Sequence, residues 1–298
     1  MTELIHIGAE YVCLMPYSYM NPGEPKVIHD TDGWQWWGEC KEGIRTMCQE
    51  AQSKGLSVMI KPHLWIGNGD YTGSLIFENN TDQQIWNESY RGYLIQYARM
   101  SEELNVEILC IGTELCAQVD ANQGYWTDLI AEVRSIYSGK LTYAANWDCY
   151  PDFPLWGNLD YIGIDAYFPL ASMTATNQNS ASEAWNLWKP DMIALSDSVS
   201  RPVLFTEYGY RSCEGALVEP WTTENNLSVD ENAQVDGYRG LYSAIWSEPW
   251  FAGGFLWKWH CKEHIHKKDR STDFTPQDKP ALHHIKSTYG AQSIRKGE

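Results

Sequence analysis

Two glutamates stand where a carboxylate is expensive to place. Glu114 lies near the end of VEILCIGTEL (106–115) and Glu207 within PVLFTEYGY (202–210), each directly after a threonine and behind an apolar run. Taking a carboxylate out of water without partners costs several kcal/mol, so such a residue is paired or functional. Both could be structural ions bonded to a neighbouring Arg, Lys or Tyr, but two such sites in one chain weaken that reading. Lys61 and His63 share one face of a strand, being two residues apart, and charged groups on an apolar strand suit a polar subsite better than a core. His63 alone is either a ligand contact or a structural histidine. Asp165 and Tyr167 in DYIGIDAYFP (160–169) should also point one way. Asp165 then binds hydroxyls or only orients a neighbour, and Tyr167 is either a donor in the site or a core aromatic.

Other groups carry weaker signals. The segment WKWHCKEHIHKKD (257–269) gathers His260, Cys261, His264 and His266, an invitation to zinc, but four lysines crowd it with positive charge and a solvated loop is expected instead. No metal and no cofactor is expected. The eight cysteines form no CxxC pair, several lie in apolar runs, and reduced thiols are the expectation. Tryptophan is abundant, 15 of 298 residues with 18 tyrosines besides. Aromatic faces stack on the apolar faces of sugar rings, so some of this excess can line a cleft while the rest packs the core. Trp147, beside Asn146, and Trp257 are the stacking candidates. GWQWWGE (33–39) is either a distal subsite or packing for its own loop. A net charge of −17, from 22 Lys+Arg against 39 Asp+Glu, argues against nucleic acid and anionic membranes as partners.

The elements that must hold these residues read as alternating strands and helices. Apolar runs at 9–17, 56–65, 106–115, 141–148, 160–169, 202–210 and 252–259 suit strands buried on both faces, as in a parallel sheet. Ile44, Met47, Cys48 and Ala51 recur at helical spacing, with Gly55 beyond them as a C-terminal cap, and so do Trp126, Leu129, Ile130 and Val133. Further helices are expected near 83–103, 181–198 with a break or new start at Pro190, 231–247 and 279–289. No linker divides residues 1–298, which read as one domain. Repeated β-then-α units leave an open doubly wound sheet or a (β/α)8 barrel, and polar residues at the end of nearly every strand favour the barrel. Seven strands are one short of closure. Residues 2–9 read as the end of a helix, so the missing strand should be the first, either encoded upstream in a longer protein or replaced in some other way.

Numbered with that strand absent, Glu114 ends the fourth strand and Glu207 the seventh. Here the sequence resembles the barrel glycosidases of clan GH-A, and most closely glycoside hydrolase family 113, the β-mannanase family. The resemblance rests on IKPHLW after the third strand, IGTEL after the fourth, IDAYFP after the sixth, TEYGYRS after the seventh, LWKW after the eighth and FTPQDKPA before the last helix. It implies a retaining mechanism with Glu207 as nucleophile and Glu114 as general acid and then base, two carboxyls about 5 to 5.5 Å apart. Tyr167 would be the donor that keeps Glu207 ionised, while Glu114 must hold its proton near neutral pH. Lys61, His63, Trp65, Asn146, Trp147, Asp165 and Trp257 would contact substrate, Trp257 resembling the platform after strand eight. One departure stands out. Most clan members carry Asn before the acid/base, where it bonds the sugar 2-hydroxyl, and here that residue is Thr113.

The resemblance therefore implies a cofactor-free enzyme that cleaves β-1,4-mannosidic bonds in a neutral polysaccharide or oligosaccharide. An exo-acting β-mannosidase, another β-hexosidase of the clan and a non-hydrolytic sugar-binding barrel remain open, as do oligomeric state and compartment. The sequence shows no signal peptide or membrane span, which suits the cytoplasm if Met1 is native; export remains open if a leader was removed.

Overall fold

The structure, a computed structural model, describes residues 1–30, 35–171, 181–223, 226–261 and 269–295, without the side chains of 291–295. Its contacts group into two units, one of Met1–Thr2 with Glu10–Gly163 and one of Glu3–Ala9 with Ile164–Glu298. The chain opens on α1 (Thr2–His6), the short helix expected there.

In the first unit follow β1 (Tyr11–Leu14), β2 (Tyr17–Met20), α2 (Lys41–Ser53), β3 (Ser57–Ile60), β4 (His63–Ile66), α3 (Asn80–Glu103), β5 (Ile108–Thr113), α4 (Cys116–Ala121), α5 (Gln123–Ile136) and β6 (Lys140–Asn146). Strand β1 pairs parallel with β3, β3 with β5, and β5 with β6, the last with an irregular register between Cys110 and Thr113. Every residue of β5 is buried, as a parallel strand covered on both faces requires. The helices close as their sequences dictate. Gly55, at φ +80°, donates to Gln52 O while Leu56 donates to Ala51 O, the paired bonds of a Schellman cap on α2. At the start of α3 the Asn79 side chain accepts from the Asp82 amide at 2.9 Å. Trp126, Leu129, Ile130 and Val133 form the buried stripe of α5. The Trp126 ring meets Tyr90 at 5.6 Å and Tyr143 at 5.9 Å between ring centres.

Two runs expected as single strands each divide in two. The division falls at Pro16 and Pro62, because a proline has no N–H to give to a ladder. Pairing reaches them with the Lys61 amide donating to Leu14 O and resumes past Pro62 with the His63 amide donating to Pro16 O, both at 2.9 Å. Strands β2 and β4 then make a separate parallel ribbon in the register Tyr17↔His63 to Met20↔Ile66. The reduced-thiol expectation fails at one place: Cys116, which opens α4, is disulfide-bonded to Cys149, just past β6. Both follow the ends of adjacent parallel strands, which brings sequence-distant side chains together.

Strand β7 (Ile162–Asp165) straddles the division between the units. The second unit continues with α6 (Ala181–Ala184), α7 (Lys189–Val199), β8 (Val203–Tyr208), α8 (Glu231–Ala244), β9 (Phe251–Leu256) and α9 (Ala281–Arg295). Pro190 opens α7 as a new start, where its missing donor costs nothing. Asp230 caps α8 by accepting from the amides of Asn232 and Ala233. Strand β8 is wholly buried and pairs parallel with β9. Beneath it Tyr208 Oη bonds Tyr242 Oη at 3.1 Å and Tyr289 Oη at 2.6 Å.

Among the described residues the main sheet holds seven strands in the order β1-β3-β5-β6-β7-β8-β9, the sequential βα winding expected, with one strand fewer than eight. No described helix is long and apolar enough to cross a membrane.

Candidate active site

In the first unit the end of β5 leads into Glu114, the candidate acid/base. Glu114 is half-buried and takes a left-handed backbone, φ +51°. That region costs a branched or long side chain roughly 1 kcal/mol or more, and a strained residue that persists is over-determined by its surroundings. Here the restraint comes from β6: the Glu114 amide donates to Ala144 O at 2.8 Å, and the Leu115 amide to the buried Tyr143 hydroxyl at 2.7 Å. Thr113 turns the other way and donates to Pro62 O at 3.1 Å. Its hydroxyl proton is thus used within the protein.

Around this turn lie several residues singled out from the sequence. Lys61 is fully buried, and His63 is half-buried with its ring 5.1 Å from that of Tyr17. Trp65 is 51% exposed. Asn146 ends β6, donates from Nδ2 to Tyr71 Oη at 3.1 Å, and accepts from the Trp147 amide at 3.0 Å. The Cys116–Cys149 bond fastens the segment after Glu114 to the segment after Trp147. Tyr17, Tyr71 and this disulfide were missed by sequence reasoning. Tyr71 lies in a loop with no periodic signal, whereas the two cysteines could have been found, since each follows an adjacent strand end within three residues.

In the second unit Glu207 is 8% exposed, and Tyr167 donates its hydroxyl to Glu207 Oε2 at 2.7 Å. A donor to the charged form favours ionisation and offsets the cost of burial. The Ala166 amide donates to Glu207 O at 2.8 Å, which sets β7 beside β8 at this level. Asp165 is buried and accepts from Thr206 Oγ1 at 2.8 Å. Thr206 and Glu207 are consecutive on an extended strand and leave on opposite faces, so Asp165 and Tyr167 serve different sides. The expectation that they point one way fails because β7 ends at Asp165 and strand alternation does not reach Tyr167.

Trp257 follows β9, its amide donating to Tyr208 O at 2.8 Å and its ring lying 5.2 Å from Lys258 Nζ. Gly209 makes this approach possible: a β-carbon there would stand 2.3 Å from Trp257 O. The histidine-rich segment is only partly described, with 262–268, and so His264 and His266, outside the described residues, as are Gly33 and Trp34 of the tryptophan cluster. Its described histidine is half-buried, and Cys261 beside it is exposed. His260 Nε2 lies 2.7 Å from Arg270 Nη1 and 3.5 Å from Asp273 Oδ2. Burial alone would raise the Asp273 carboxyl, yet bonds from His260 and Arg270 hold it well below the usual range. Among the described residues no group of three or more His, Cys, Asp or Glu could hold a metal ion.

The model of Glycoside Hydrolase Family 113 matches residues 1–279. The chain belongs to glycoside hydrolase family 113. No curated protein sequence matches this family 113 chain. Among solved structures it is similar to the family 113 β-mannanase from Alicyclobacillus acidocaldarius in complex with ManMIm, at 24% identity and TM-score 0.82 over 95% of this chain and 87% of that one. A second family 113 β-1,4-mannanase, solved as a complex, gives 23% identity and TM-score 0.81 over 97% and 90%. A β-glucuronidase from Ruminococcus gnavus gives 14% and 0.64, covering 96% of this chain but 44% of that one. These likenesses show the fold, that of the (β/α)8 barrel. The family 113 enzyme is thus a glycoside hydrolase, and its substrates are oligosaccharides or polysaccharides.

Proposed function

We propose that this family 113 hydrolase is an endo-acting β-1,4-mannanase that cleaves neutral mannan by double displacement. The observation that carries the reading is Glu207: a carboxylate at the buried end of β8 with a phenol donating to it, in a chain of this family. Glu207 attacks the anomeric carbon from the α face and forms a glycosyl ester, while Glu114 protonates the departing glycosidic oxygen. Glu114 then removes a proton from water, which displaces Glu207 and restores the β configuration. Tyr167 holds the nucleophile ionised, and Asp165 orients Thr206, the residue before it. Lys61, His63, Trp65, Asn146, Trp147 and Trp257 bind the sugars, the tryptophans by stacking. Thr113, engaged with Pro62, leaves the 2-hydroxyl of the cleaved sugar to another donor, which accords with the axial 2-hydroxyl of mannose. The family match across residues 1–279 supports one catalytic domain, and the charge of −17 supports an uncharged substrate.

The test is a product profile on mannan and defined mannooligosaccharides, read by reducing ends and by proton NMR of the first product. New internal cleavage products in the β-anomeric form are expected. Glu114→Gln and Glu207→Gln should each lower turnover by several orders of magnitude, because both groups act in the transition state. Full activity in either variant, or an α-anomer as the first product, would end the assignment.

A further inference from the structure

The segment FTPQDKPA (274–281) has no task in the catalytic reading, yet the second unit commits several polar groups to holding it. Lys279 Nζ donates to Ser212 Oγ at 2.7 Å and to Asp273 O at 3.0 Å, and the Ser212 amide donates to the same carbonyl at 3.2 Å. Gln234 of α8, 0% exposed, donates from Nε2 to Phe274 O at 3.1 Å. The Phe274 amide donates to Asp273 Oδ1 at 2.5 Å, while Arg270 Nη1 donates to Asp273 Oδ2 at 2.7 Å. The backbone is therefore fastened on both sides of Phe274. Burial pushes the Lys279 ammonium down to about 8 even with Asp273 and Glu231 nearby. A cation kept where its charge is disfavoured is not what folding alone selects, and one of its two bonds goes to the carbonyl just before Phe274.

What the clamp presents is the Phe274 ring. That ring meets the ring of Tyr167 edge to face, 5.9 Å between centres at 68°. It also lies against the end of β8: a β-carbon on Gly209, two residues after Glu207, would stand 3.4 Å from Phe274 Cδ1. Tyr167 needs such a neighbour. Strand β7 ends at Asp165, so no ladder fixes residue 167, whose amide turns back to Asp165 O at 3.1 Å. A phenol oxygen sits at the far end of its side chain, so a swing of roughly 10° carries it by about 1 Å. That is enough to spoil the 2.7 Å bond it gives to Glu207.

We propose that Phe274, clamped by Lys279, Asp273 and Gln234, is a positioning residue that fixes the Tyr167 ring and thereby aims its hydroxyl at Glu207. It acts through Tyr167 and touches no reacting atom in this role. Its effect on rate rests on the reading of Glu207 as nucleophile; its effect on the aim of the phenol does not.

The test is a cycle of four proteins: wild type, Phe274→Ala, Tyr167→Phe and the double variant. Each is melted thermally and assayed for kcat/KM on an aryl β-mannobioside from pH 4 to 9. Phe274→Ala should lower kcat/KM about tenfold, the lower end of what losing a hydrogen bond to a charged group does, and move the acid limb up by about one pH unit. In the Tyr167→Phe background the same change should lower kcat/KM by less than about twofold and leave the limb where Tyr167→Phe puts it, because the hydroxyl being aimed is gone. Equal losses in both backgrounds, or a folded Phe274→Ala enzyme within about twofold of wild type, overturn the proposal. If Phe274→Ala does not fold, Phe274→Leu takes its place in the cycle, with a loss of about threefold expected in the wild-type background alone. A second readout needs no substrate: carbon NMR of the Glu207 carboxyl, identified by its absence in Glu207→Gln. Its pKa should rise in Phe274→Ala. If Glu207→Gln keeps full activity, the nucleophile reading falls and this titration alone decides: a rise supports the positioning role, and an unmoved titration refutes it.

Discussion

Replacing Tyr167 by Phe removes one oxygen and tests how Glu207 is kept ready. The phenol donates at 2.7 Å to a carboxylate that is 8% exposed, and the donor is itself 7% exposed, so water replaces it poorly. A hydrogen bond to a charged group is worth about 1.5–3 kcal/mol. At roughly 1.4 kcal/mol per decade that predicts a loss of about 10- to 150-fold in kcat/KM, if the bond stabilises the ionised nucleophile on the way to the transition state. The same energy appears as a shift in titration. The carboxylate loses a donor to its charged form, so its pKa rises, and the acid limb of the pH–rate profile should move up by about one to two pH units. The assay is kcat/KM on an aryl β-mannobioside from pH 4 to 9, beside a thermal melt to show that the variant is folded. A folded Tyr167→Phe enzyme with an unmoved acid limb and kcat/KM within twofold of wild type would refute the role given to this pair.

Three further outcomes follow from the same structure. The Cys116–Cys149 bond closes a loop with a sequence separation of 33, for which loop-closure entropy gives about 4 kcal/mol and practice about 2–4; Cys116→Ser with Cys149→Ser should lose that much in urea unfolding and become insensitive to dithiothreitol, and a wild type equally insensitive would refute the prediction. Burial alone would raise the Asp30 carboxyl, but bonds from His29, the Lys41 amide and Gln96 hold it at about 2. A depressed carboxylate contributes stability above its unfolded value near 4 and loses it as pH falls through about 2, so Asp30→Asn should cost about 2 kcal/mol at pH 7 and roughly half as much at pH 3; an equal cost at both would show that the charge is not responsible. Gly209→Ala would drive a β-carbon to within 2.3 Å of the Trp257 carbonyl, so it should cost about 1–3 kcal/mol and shift tryptophan fluorescence, and wild-type stability with wild-type emission would contradict it.

What the sequence disclosed and what it hid divide along a physical line. Signals that depend on local chemistry were legible. The stripe of α5, the cap at Gly55 and the restart at Pro190 are written in consecutive residues, and the apolar runs located every strand of the main sheet. Two runs still read as unbroken because hydrophobicity continues through Pro16 and Pro62 while the hydrogen-bond ladder does not. The disulfide escaped for the opposite reason: Cys116 and Cys149 are distant in sequence and meet only because parallel strands bring their C-terminal ends to one side.

The candidate site shows the same division at the scale of single atoms. Glu114 and Glu207 were conspicuous because an acid at the end of an apolar strand violates the pattern around it. Their supports were not conspicuous, since Tyr143 and Tyr90 look alike in sequence, yet the first accepts from the Leu115 amide while the second donates to Ile111 O. Nor does any residue pattern announce the left-handed backbone of Glu114, a conformation that a glycine would adopt more cheaply. That a long acidic side chain occupies it, with the amides on both sides of its α-carbon tied to β6, argues that the direction of the carboxyl is what the strain secures. Glu114→Gly would relax the backbone and remove the acid, whereas Glu114→Gln keeps the strain and removes only the proton. If Glu114→Gly proves more stable than Glu114→Gln while both are inactive, the strain belongs to function and not to folding.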